Sequence, residues 1–165
     1  MIYRVVTGLL LAGWMILIFW FSHQPADTSS ELSGGLCVEL VTAVNENFHL
    51  GYPPETVLSI AGKIEYPVRK AAHMSEYAVL GWLAFAFFRG FCSIARKNYL
   101  CSMALVVIYA ATDEMHQLFV AGRAGRISDV LIDSAGAVLG LLLLFAAERL
   151  VHRRKRPISD ENLMK

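Results

Sequence analysis

Three short stretches of this sequence crowd together acids, bases and cations. Arg69, Lys70, His73, Glu76 and Tyr77 come first, then Asp113, Glu114, His116 and Gln117, then Arg123 and Arg126 leading into Asp129 and Asp133. At steps of four, three and four, Arg69, His73, Glu76 and Leu80 share one face of a helix. Asp113, His116 and Gln117 share another, and Asp129 and Asp133 a third. A histidine oriented by a carboxylate is a general acid–base pair, and Arg or Lys beside it can hold an anionic group. His73, Glu76, Asp113, Glu114, His116 and Asp129 are the candidate catalytic residues, with Arg69, Lys70, Gln117 and Arg123 to bind the substrate. A divalent metal is the lesser reading: two histidines and several carboxylates could ligate one, but their spacing matches no motif such as H-E-x-x-H. The competing structural reading is a buried ion-pair network that fixes helix register. Taken singly, Tyr77 reads as an interfacial anchor, Arg126 as a headgroup contact and Ser22 as a cap or loop residue.

The elements that must carry these residues are membrane helices. Of 165 residues, 56% are hydrophobic and 18% charged, with a mean hydropathy of +0.48. Soluble domains run nearer about 45–50% apolar and about 25% charged. A span needs roughly 20 mostly apolar residues, and four segments qualify: 5–21, 68–88, 99–120 and 127–151. The first is read as a retained helix, because Ser22-His23-Gln24-Pro25 makes a poor cleavage site for a signal peptide. The expected fold is all-α, a four-transmembrane-helix bundle formed by residues 1–156, with a polar cytoplasmic tail at 157–165. Short amphipathic helices are expected in the first outer loop, 24–66. Leu36, Leu40, Val41 and Val44 mark one, and Val57, Leu58, Ala61 and Ile64 mark another after Pro53-Pro54. Gly136 and Gly140 read as a close-packing motif.

Charge sets the expected orientation. Arg4, Arg89, Arg96, Lys97, Arg149 and the basic run from Arg153 to Arg156 fall on one side, against an acid-rich 24–66 loop. The basic side is cytoplasmic. Both termini are then inside a bacterial cytoplasmic membrane, and every polar stretch lies at the outer ends of its helices. Helices two and four would both aim their N-termini there, a field that suits an anion. Nothing in the sequence resembles a nucleic-acid-binding stripe. Cys37, Cys92 and Cys101 form neither a metal spacing nor a disulfide framework, with Cys37 on the side opposite Cys92 and Cys101.

On these same residues the chain resembles the VanZ-like family of bacterial membrane proteins, named for a protein associated with teicoplanin resistance. The resemblance rests on Phe21-Ser22-His23-Gln24-Pro25, on the stretch from Arg69 to Tyr77, on that from Thr112 to Arg123, and on that from Ser128 to Gly136. It implies that the polar signature falls on Lys70, His73, Glu76, Asp113, Glu114, His116, Gln117, Arg123 and Asp129. His23, Ala121 and Asp133 depart from the family pattern, where a second Ser, a Pro and an Asn are frequent. The function expected is an outer-face site that acts, as hydrolase or transferase, on an anionic lipid or lipid-linked envelope precursor, with a link to glycopeptide resistance. The alternative is a non-enzymatic binder of lipid headgroups or lipoglycopeptides.

Overall fold

The computed structural model describes residues 1–154. The side chains of the 153–156 basic cluster, and the tail expected at 157–165, lie outside the described residues. Five helices follow one another: α1 (Ile2–Ser22), α2 (Ala26–Asn47), α3 (Pro54–Arg89), α4 (Ala95–Gln117) and α5 (Ile127–Arg154). No strand occurs among the described residues, so the all-α expectation stands.

The outer-loop expectation needs correction. The first amphipathic segment is a full helix of 22 residues, and the second is no separate helix at all. It runs unbroken through Pro67 into the second expected span, giving α3 its 36 residues. An internal proline removes one backbone donor and usually kinks or ends a helix. Here Val57, Ala61, Ile64 and Val68 pack against Cys37, Val38 and Val41 of α2 on both sides of Pro67, and that packing carries the helix across. Near the bundle, Arg69 Nη1 donates to Ser30 Oγ at 2.9 Å and Ser33 Oγ to Glu65 Oε1 at 2.9 Å. At the far tip Asn45 is hydrogen-bonded to both backbone groups of Tyr52. α2 and the first part of α3 are therefore an antiparallel hairpin.

α1, the second half of α3, α4 and α5 form the bundle. α3 and α5 are parallel: Lys70 pairs with Asp129 at one end and Arg89 with Glu148 at the other, with the same offset. Between these pairs the helices nearly touch. A Cβ on Gly140 would lie 2.8 Å from the carbonyl oxygen of Ala78, and one on Gly136 would overlap the backbone of Met74. The sequence expectation of close packing at these glycines is met. The two ion pairs are separated by about 28 Å at 1.5 Å per residue, close to the roughly 30 Å of a hydrocarbon core. α1 is stitched to its neighbours by side chain–backbone bonds: Tyr3 to Ala86, Trp14 to Glu76, and Tyr109 to Met15.

α4 is inside out. Asn98, Ser102, Asp113, Glu114 and Gln117 are buried along with Val106 and Ala110, whereas Leu100, Ile108 and Met115 face outward. Leu9, Ile16, Leu131, Leu139 and Leu143 on α1 and α5 are also exposed. A coat this apolar around a more polar interior suits lipid as the solvent. Ile2–Ser22 and Ile127–Leu150 are long and apolar enough to cross a membrane, with mean hydropathies of 2.1 and 2.3. α3 and α4 fall below them because His73 and Glu76, and Asp113 and Glu114, sit within their apolar stretches.

Candidate functional site

The polar ends of α3, α4 and α5 meet beneath the 118–126 turn. Gly122 takes a φ of 72°, and Gly125 lies too close to the Glu114 carbonyl and the Leu118 side chain to admit a Cβ. This tight turn brings Arg123 and Arg126 over the helix ends. The result is a cleft of about 250 Å³. α2 contributes Ser29, and α3 contributes Tyr66, Arg69, Lys70 and His73. Glu114 and Gln117 come from α4, Arg123 and Arg126 from the turn, and Asp129 and Asp133 from α5.

Most charges in the cleft have a geometric anchor. Lys70 Nζ lies 2.6 Å from Asp129 Oδ2, with 20% and 17% of the two side chains exposed. His73 Nδ1 is 3.4 Å from Glu76 Oε2, one helical turn away on α3. Glu114 Oε2 accepts a hydrogen bond from the Arg126 backbone N–H at 2.8 Å, which fixes the start of α5. Arg69 reaches sideways to Ser30 and to Glu65, the latter at 3.6 Å. Arg123 donates through Nε to Gln24 O at 2.8 Å and through Nη2 to Phe21 O at 3.1 Å, so it also clamps the α1–α2 connection. Burial draws the Arg123 guanidinium down from its ordinary pKa, and Asp113 opposes that shift.

The expected residues separate into two groups. Arg69, Lys70, His73, Glu114, Gln117, Arg123 and Asp129 line the cleft. Glu76 touches it through His73. Asp113 is buried beside it, where Gln117 Nε2 donates to Asp113 Oδ2 at 3.3 Å and to Ser22 Oγ at 3.1 Å. Ser22 is thus a buried member of this knot and not a loop residue. His116 turns the other way: its Nε2 sits 3.1 Å from His23 Nδ1, against the Phe19 ring. It shares no contact surface with the cleft. Tyr77 is no interfacial anchor, since it is fully buried in the bundle core. Its hydroxyl and Asp113 Oδ1 are buried without a hydrogen-bond partner among the described residues, and Glu76 Oε2 has His73 Nδ1 beside it at 3.4 Å. Such orphan oxygens are uncommon in folded cores.

One electrostatic expectation fails. α3 does not present its N-terminus to the cleft, because that terminus is Pro54 at the hairpin's far end. Of the two helices expected to begin there, only α5 does, and α2 begins there as well, with Ala26 and Ser29 in the lining. Sequence reasoning left seven lining residues out of the candidate site: Ala26, Ser29, Tyr66, Gly122, Ala124, Arg126 and Asp133. Asp133 was legible through its four-residue spacing from Asp129. Ser29 was not, because nothing in the sequence says that α2 folds back over α3.

A family model described as VanZ/LLP1 matches residues 7–148, a stretch that takes in the whole cleft. Comparison with curated proteins and with solved structures gives no match. With its family model covering most of the chain and its apolar helices turned outward, this chain is a membrane protein belonging to the VanZ/LLP1 family.

Proposed function

We propose that the cleft acts on the anionic head of a membrane lipid or lipid-linked envelope precursor, as a hydrolase or transferase. The observation that carries this reading is the meeting of Arg69, Lys70, Arg123 and Arg126 with His73 in one cleft at the bundle end. The start of α5 adds its partial positive charge. A phosphate or carboxylate entering there would exchange with Asp129 for the Lys70 ammonium. His73, held by Glu76, would take the proton of the attacking hydroxyl or water as its oxygen bonds to the phosphorus or acyl carbon, and would return that proton to the departing oxygen as the bond to the leaving group breaks. His116 has no part in this scheme, and its place facing His23 is the reason.

In this reading α1, α3 from residue 68, α4 and α5 cross the bacterial cytoplasmic membrane, the cleft faces outward and both termini are cytoplasmic. The loop charge bias supports that orientation. The α2–α3 hairpin then stands beyond the outer surface. Cys37 is a poor reporter of topology, since it is wholly buried between α2 and α3. An Asp27→Cys variant should label with an impermeant thiol reagent in intact cells, and Cys92 only after permeabilisation. Labelling of Ser159→Cys in intact cells without labelling at position 27 would invert the orientation.

The chemistry is tested by following envelope-lipid and precursor turnover in membranes carrying wild type, His73→Gln or Glu76→Gln. Loss of turnover in both variants, at equal expression, is the expected result. Identical lipid profiles across the three would remove the enzyme. Retained headgroup binding in those variants, lost in Lys70→Met, would leave a binder of lipid heads or lipoglycopeptides in its place.

A further inference from the structure

The opposite end of the bundle holds a second cavity of about 260 Å³ between the ends of α3, α4 and α5. Arg89 and Glu148 stand at its rim, paired at 2.9 Å and both open to solvent. Asn98 lies in it with only 2% of its surface exposed. Its Oδ1 has no hydrogen-bond partner among the described residues, and neither has the buried hydroxyl of Tyr99. Buried acceptors left unpaired are costly, so both oxygens call for a donor from outside the bundle. Phe85, Tyr99 and Phe145 line the same cavity, with ring centroids 4.6 Å and 6.4 Å apart in sequence.

An independent feature adjoins it. An apolar groove of about 310 Å³ runs between α4 and α5 over Tyr99, Met103, Val138, Leu141, Leu142 and Phe145. Tyr99 and Phe145 line both spaces, so a mixed cavity holding Arg89, Asn98 and Glu148 at the bundle end adjoins an apolar trough along its side. That is the shape of a head and a tail.

We infer that this end carries a phospholipid site whose occupant has a zwitterionic head with a primary ammonium, of the phosphoethanolamine type. The rim supplies one cation and one anion, which matches a head of no net charge. Arg89 meets the phosphate and Glu148 the ammonium. Ammonium N–H groups satisfy Asn98 Oδ1 and the Tyr99 oxygen, and the aromatic rings receive the charge on their faces. One acyl chain lies in the trough. A quaternary ammonium has no N–H and would leave Asn98 unpaired. An anionic phosphoglycerol head brings hydroxyl donors for Asn98 but no cation for Glu148. This site stands apart from the cleft at the other end and does not depend on any reaction there.

The test uses the full chain in vesicles of phosphatidylcholine, phosphatidylethanolamine and phosphatidylglycerol in equal parts, followed by extraction and native mass spectrometry of retained lipid. Phosphatidylethanolamine should be retained over the other two by about tenfold, the factor expected for a charge-assisted hydrogen bond. Asn98→Leu should lower that retention about tenfold. Glu148→Gln, at a solvent-exposed rim position, should lower it without disturbing the fold and decides the matter if the Asn98 variant does not fold. Met103→Trp, which fills the trough, should lower it for every lipid. Equal retention of the three lipids, or unchanged retention in Glu148→Gln, would overturn the assignment and leave a hydrated pocket. Capture of soluble phosphoethanolamine without retention of the lipid would also overturn it, in favour of a water-soluble zwitterion.

Discussion

The α3–α5 seam ends in an ion pair at each extremity, and the two pairs live in different solvents. Lys70 and Asp129 approach to 2.6 Å with about a fifth of each side chain exposed, walled in by the turn, α4 and the hairpin. Arg89 and Glu148 approach to 2.9 Å with 63% and 36% exposed. The helix register that creates the pairs is the same. What differs is the cover: the hairpin and the 118–126 turn roof one end, and no described element roofs the other. A charge pair shielded from water interacts strongly but suffers badly when one member is lost, whereas an exposed pair does neither. The roofed end is therefore the one whose chemistry the fold constrains.

The largest break in this comparison comes from the seam itself. Gly136→Ala should cost about 3 kcal/mol or prevent folding, because its Cβ would overlap the Met74 backbone at the polar half of the seam. Gly81→Ala, whose Cβ would meet Ala137 at an ordinary 3.4 Å, should cost less than about 1 kcal/mol. Thermal unfolding of the two variants in detergent separates them, and equal losses would mean that α3 and α5 approach no more closely at Gly136 than at Gly81. The next effect probes the pairs. Lys70→Met should destabilise by about 2–3 kcal/mol with little dependence on salt, since Asp129 is left half-buried and alone. Arg89→Met should cost less than about 1 kcal/mol, and less still at high salt. Denaturant titrations at two salt concentrations measure both, and a reversal of the order would place water at the roofed end.

The smallest effect lies outside the bundle and has the opposite sign. Gly35 is an exposed residue within α2, and a Cβ there would meet nothing within 4 Å. Gly35→Ala should raise stability by about 0.5–1 kcal/mol through helix propensity alone. A fall in the unfolding midpoint would show instead that another helix packs on that face of the hairpin.

Read from the sequence, the helices were recovered nearly whole, because lipid-facing apolar runs leave a strong signal. The hairpin was recovered only in part. Its apolar residues have the right spacing, but Pro67 marks a break by every local rule. Only the packing of Val57, Ala61, Ile64 and Val68 on α2 shows why the helix continues. The same gap misplaced a helix N-terminus at the cleft.

The site was legible at the level of which residues gather, and less so at the level of which face which. Hydropathy and charge along the chain determined by themselves that the structure is helical, that its surface is apolar, and that its ionisable groups collect at one end of three helices. Those properties are local and follow from helix period and the cost of charge in lipid. The tertiary structure alone decided that His73 enters the cleft while His116 turns to His23, that Arg123 clamps the α1–α2 connection, and that Tyr77 is buried. Adjacent positions on a helix point about 100° apart at 3.6 residues per turn. The rotation of each helix about its own axis is therefore set by its neighbours, a quantity that no single segment of sequence contains.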